Sequence, residues 1–167
     1  MVDQEDPSLS RRGFAALSAA AGVSMASGVG VAKAAATINP ETKQLPAARD
    51  AVAPDGSDVR ILLGLRGGGM AHFELPAGKT SKAVTHRTVE EIWYVLTGRG
   101  QMWRMQGGQA TVVDVQPGVC LTIPLGTHFQ FRAFGSEPLS AIAVTTPPWP
   151  GDGEAIQVQG AWAPTVA

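Results

Sequence analysis

From Asp58 onward the chain alternates short hydrophobic runs with turn clusters, at intervals of about ten residues. The runs are Val59–Leu65, Met70–Leu75, Lys82–Thr85, Glu91–Leu96, Gln101–Met105, Ala110–Val115, Val119–Ile123, His128–Phe134 and Leu139–Thr145. Between them stand Gly67-Gly68-Gly69, Pro76-Ala77-Gly78, Thr97-Gly98, Gly107-Gly108, Pro117-Gly118, Pro124-Leu125-Gly126 and Gly135-Ser136. Strand side chains alternate faces with period two, and no helical periodicity of comparable strength appears after residue 37. The pattern predicts an all-β fold, a sandwich or barrel of many short strands.

The two ends read differently. Ser10-Arg11-Arg12-Gly13-Phe14 opens an uncharged Ala/Gly-rich stretch that runs to Ala32 and ends in Ala34-Ala35-Ala36. This segment resembles a twin-arginine signal peptide, with small residues for cleavage after Ala34 or Ala36 and an unusually acidic start at Asp3, Glu5 and Asp6. The resemblance implies export to the periplasm or beyond. Its glycines and serines dilute the stretch below a stable membrane span. The predicted division is a signal peptide over 1–36, an N-terminal arm over 37–57, a barrel over 58–145 and an extended arm over 146–167. Four prolines exclude that last arm from a central ladder, and Trp149 and Trp162 argue that it is laid over the barrel or a neighbouring subunit.

Charge narrows the partners. A net charge of −1 leaves no basic surface for nucleic acid. Cys120 is the single cysteine, so no disulfide forms within the chain, and its apolar setting predicts a buried, inert thiol. The serines lie in the signal region or in turns, with nothing resembling a nucleophile elbow.

His86 and Glu91 precede a strand-like run, and His128 follows the turn Pro124-Leu125-Gly126. If Glu91 points inward, Trp93 and Val95 share its face, and Val84 shares one with His86. His128, Gln130 and Arg132 share a face, with Phe129 and Phe131 opposite. Two imidazoles and a carboxylate on one interior face suit Fe(II), Mn, Zn or Ni. The other reading is two hydrogen-bonded interior histidines in a barrel without metal. Glu90 belongs to the opposite face from Glu91. His72 is expected to be a partly exposed strand residue; the alternative is a replacement ligand. Arg132 facing a barrel interior needs an acid, from the protein or from an anionic ligand, and Gln130 and Trp93 would complete the ligand's surroundings.

These residues carry a resemblance to the single-domain cupins, jelly-roll barrels with two motifs. The first motif is Gly, five residues, His-x-His, three or four residues, Glu, six residues, Gly. Gly78, Val84-Thr85-His86, Glu91 and Gly98 keep that spacing, with Val84 where the first His stands. The second is Gly, five residues, Pro-x-Gly, two residues, His, three residues, Asn. Gly118, Pro124-Leu125-Gly126 and His128 follow it with the last gap one residue short, and Arg132 stands at the Asn position counted from His128. The resemblance implies one divalent transition metal on His86, Glu91 and His128, and a small organic ligand. It favours oxygenase-type chemistry and leaves a metal-free binding module open. Cupin barrels commonly pair, so a homodimer is expected, with Ile92, Tyr94, Phe129 and Phe131 offered as a sheet-on-sheet surface.

Overall fold

The computed structural model describes residues 39–167; the signal-like segment, residues 1–36, lies outside the described residues. Eleven strands form among the described residues: β1 Ala51–Val52, β2 Asp58–Leu65, β3 Gly68–Leu75, β4 Val84–His86, β5 Glu90–Thr97, β6 Arg99–Gln106, β7 Gln109–Val115, β8 Cys120–Ile123, β9 His128–Phe134, β10 Leu139–Thr146 and β11 Ala155–Gln157. No helix forms among them. Each of the nine hydrophobic runs became a strand.

The strands build two antiparallel sheets, ordered β1-β2-β3-β10-β5-β8 and β11-β4-β9-β6-β7. The cause is visible in β5, which alternates without interruption: Glu91, Trp93 and Val95 are buried while Glu90, Ile92, Tyr94 and Leu96 are exposed. One face of each sheet is therefore apolar, and the two faces close on each other. The core between them includes Leu75, Trp93, Val95, Met102, Phe129 and Phe131. Gly98 makes the β5–β6 turn at φ 75°, and a Cβ there would lie 2.4 Å from the Pro138 carbonyl oxygen, so only glycine fits.

Both arms belong to the sheets. β1 pairs with β2, and β11 pairs with β4 through Ala155↔His86 and Gln157↔Val84. Further on, Thr165 and Thr80 bond reciprocally: the Thr80 amide donates to Thr165 Oγ1 (2.8 Å) and the Thr165 amide to the Thr80 carbonyl (2.9 Å).

Three expectations change here, each through the two-residue period. Phe129 and Phe131 fill the core, so of the proposed docking face only Ile92 and Tyr94 remain outside. Cys120 is exposed, because Leu121 and Ile123 take the inward positions of β8. His72 is buried, but on the outer face of β3: its neighbour Phe73 points inward and stacks on Trp93. Arg60 lies beside it, 3.5 Å from Nδ1, so His72 is not available to a metal inside the barrel.

Candidate binding site at the end of the barrel

The site lies where β4 runs out and β5 begins. His86 is the last residue of β4 and shares the inward face of Val84. Its ring meets the edge of Phe129 (centroids 5.2 Å) and of Trp149 (5.3 Å). Glu91 enters from β5, and its Oε2 accepts a 2.7 Å hydrogen bond from Trp93 Nε1, two residues along the same face. Trp93 contacts Phe73, Phe129 and Phe131 in turn. Two polar groups thus sit among rings.

That setting moves their protonation in opposite directions. Burial pushes the Glu91 carboxyl up to about 7; the Trp93 bond lowers it in part, and the nearby Asp55 adds to the rise. Burial lowers His86 to about 4, against a small upward pull from Glu154. At neutral pH the imidazole is therefore uncharged and the carboxyl is close to half-protonated.

Glu154 secures the loop between them. It accepts from the Thr88 amide (2.6 Å), Thr88 Oγ1 (2.9 Å) and the Val89 amide (2.9 Å), while Arg87 Nε donates to the Gly153 carbonyl (2.9 Å). Burial alone would raise the Glu154 carboxyl; the Thr88 and Val89 donors, with His86 nearby, outweigh it and hold the group below the ordinary carboxylate range. The spacing of the sequence carried no sign of this clamp, whose partners lie more than 60 residues apart.

The structure does not bring His128 to His86 and Glu91. In β9 the inward positions belong to Phe129, Phe131 and Ala133, so His128, Gln130 and Arg132 look out from the sheet. The missing residue in the second motif explains this. Counting the full two-residue gap from Gly126 puts Phe129 at the His position and Ala133 at the Asn position, and a shift of one along a strand exchanges its faces.

Gln130 and Arg132 consequently hold the C-terminal arm rather than a ligand. Gln130 Nε2 donates to the Ser81 and Trp162 carbonyls (both 2.8 Å), and its Oε1 accepts from the Trp162 amide (2.9 Å). Arg132 donates to Gln101 Oε1 and lies 4.2 Å from the Trp162 ring centroid, which is the partner its charge finds. Trp93 does remain at the interior site. Glu90 is exposed on the outer face of β5.

A metal of the kind the cupin motifs imply does not fit this set. The four ligand positions hold Val84, His86, Glu91 and Phe129, and Phe129 packs its ring against the one remaining imidazole. Two donors do not make a facial triad. Among the described residues no group of three or more His, Cys, Asp or Glu gathers around one point.

Comparison with known proteins fits the architecture. The cupin-domain family model matches residues 71–145. No curated protein sequence matches the chain. Among solved structures, a Klebsiella pneumoniae protein with a double-stranded β-helix domain is similar at 15% identity and TM-score 0.52, over 65% of this chain and 89% of its own. Oxalate decarboxylase from Lactobacillus farciminis, in its formate complex, is similar at 20% identity and TM-score 0.55, over 62% of this chain and 32% of its own. A Streptomyces protein solved with uridine is similar at 10% identity and TM-score 0.55, over 71% of this chain and 92% of its own. The chain spans about a third of the oxalate decarboxylase and of the coconut allergen cocosin. At these identities the likeness is one of fold. Residues 71–145 thus match the cupin-domain family model, and the described residues fold as an all-β jelly roll of two antiparallel sheets.

Proposed function

We propose that this protein is a metal-free cupin that binds a small organic molecule at the end of the barrel, around His86, Glu91 and Trp93. The observation that carries the reading is the pairing of Val84 with Phe129 at two ligand positions, while Glu91 and His86 still face inward. Burying a carboxyl and an imidazole among aromatic rings costs stability, and polar groups so placed fit orientation of a bound molecule. Near its midpoint at neutral pH, the Glu91 carboxyl donates or accepts a hydrogen bond as the ligand requires.

The metal-loaded alternative has one observation in its favour: His86, uncharged at neutral pH, and Glu91 keep half of the ligand set. Fold relatives include an oxalate decarboxylase described with Mn(II) centres. Native mass spectrometry on protein purified without chelator separates the two. An organic adduct without metal, lost in Glu91→Gln, supports the binder. A stoichiometric metal lost in His86→Ala overturns it.

Two further expectations belong to this proposal. The twin-arginine-like segment supports export. Exposed Met70, Ile92, Tyr94 and Leu96, with Val144 and Ile142 between them in the register, support a homodimer through the outer face of the six-stranded sheet. Light scattering on the mature chain checks the dimer.

A further inference from the structure

The connection from β10 to β11 crosses the end of the barrel that holds His86 and Glu91. At its start, Thr146 pairs with Glu90 in the six-stranded sheet; at its finish, Ala155 pairs with His86 in the five-stranded one. Residues 147–152 therefore pass from one sheet to the other directly over the candidate site. Both ends are fixed, the first by the β10 ladder and the second by Glu154 and by Arg87 on the Gly153 carbonyl.

The span between those anchors is held differently. Trp149 is 40% exposed, and its recorded ring contact is the edge-on one with His86. Gly151 takes φ 119°, a conformation that favours glycine, and an added Cβ there would meet nothing within 4 Å. Beneath the span the rings run in a series, Trp149 to His86 to Phe129 to Trp93 to Phe73. The void inside the barrel is about 10 Å³ and lined by residues such as Phe73, Trp93, Met102 and Phe131, which is far below the roughly 300 Å³ of a ligand site. Neither His86 nor Glu91 lines that void; His86 is buried with Trp149 against its ring, so a molecule that reaches this imidazole must displace Trp149.

We propose that residues 147–152 are an opening cover over the end of the barrel, and that Trp149 keeps, against His86, the seat that the planar ring of a ligand takes when the cover lifts. The inference rests on the reading of this end as a binding site and adds the ligand class, a flat and largely apolar ring. A ring of that kind exchanges one edge-to-face contact for another at little cost, whereas a compact charged group would lose its hydration among aromatic side chains.

The test needs no knowledge of the natural ligand. Diethyl pyrocarbonate acylates accessible uncharged imidazoles, and the protein has only three histidines, so peptide mapping reads each one. In Trp149→Gly, His86 is expected to react roughly tenfold faster than in the unmodified protein, while His72 is unchanged. Saturating free indole is expected to restore protection in that variant, and Trp149→Phe to retain it. Equal His86 reactivity with and without Trp149, or failure of indole to protect, overturns the cover. The binding reading fails separately, when the unmodified protein carries no organic adduct while His86 still responds to Trp149 as described.

Discussion

Val84 and Phe129 lie directly opposite each other on β4 and β9, at the two places where the cupin motifs put imidazoles. Direct cross-strand partners share a face, so the pair fills one point of the interior with hydrocarbon. The loss is therefore a matched one, with both partners apolar. Of the four positions where the cupin motifs place metal ligands, these two paired ones hold apolar side chains.

The exchange is reversible by design. Val84→His combined with Phe129→His is expected to create affinity for Ni(II) or Zn(II) at roughly micromolar or tighter, where the unmodified protein and Val84→His alone show none. Thermal melting with and without metal reads it: only the double variant gains stability from the ion. No gain in that variant would mean that His86 and Glu91 do not converge on the shared point.

His86 and Glu91 predict opposed pH dependences. The folded protein keeps the Glu91 proton to about pH 7 and the unfolded chain only to about 4.5, so this residue makes stability fall as pH rises between those values. His86 resists protonation down to about pH 4 where the unfolded chain accepts a proton at about 6.5, so it makes stability fall as pH drops through that window. The two nearly cancel between them. Where the unmodified protein stays nearly level, the profile of Glu91→Gln should climb from pH 4 to 6.5 on the remaining His86, and that of His86→Gln should decline from 4.5 to 7 on the remaining Glu91. Each change is on the order of 3 kcal/mol, from urea titrations across pH.

Gln130→Met tests the latch on the outer face. The substitution keeps size and removes three hydrogen bonds to buried or half-buried partners at Ser81 and Trp162. A loss of about 3 kcal/mol is expected, with earlier protease cleavage in the C-terminal arm. An unchanged urea midpoint would show that the arm's other contacts, Trp162 on Arg132 and Thr165 with Thr80, hold it without Gln130.

Glu154→Gln should loosen the β4–β5 loop. Both backbone amides donate to Oε1, which a glutamine keeps, but the charge is lost and Nε2 can only donate towards Thr88 Oγ1, so the expected cost is about 2 kcal/mol. Amide exchange at Thr88 and Val89 should accelerate more than exchange in the middle of β5, which gives the measurement a local signature.

The strands were legible because most runs are bounded by Gly or Pro and the clearest of them, such as β5, obeys the period of two. The first motif was legible too, since Glu91, Trp93 and Val95 do line the interior together. The second was misread at one step: aligning on the visible His128 accepted a short gap, although a one-residue change of register inverts a strand. Counting strictly to Phe129 would have exposed the inversion. Arg132 and Gln130 looked like ligand contacts because their partner Trp162 is some thirty residues away in sequence, in an arm with no periodic pattern. Trp149 pointed only to an arm laid over the barrel, not to its seat on His86, and Glu154 gave no warning at all. Their roles come from where a proline-rich connection lands, and hydrophobic spacing does not encode that.

The pairing of β11 with β4 has a consequence for how the chain is made. Val84–His86 gains one of its two neighbours from residues 155–157, close to the C-terminus. While those residues are still inside the ribosome, the segment carrying His86 presents an open backbone edge that foreign strands can join. Its wall closes only once residues 155–157 have emerged, by a contact spanning about seventy residues, the slow kind in folding.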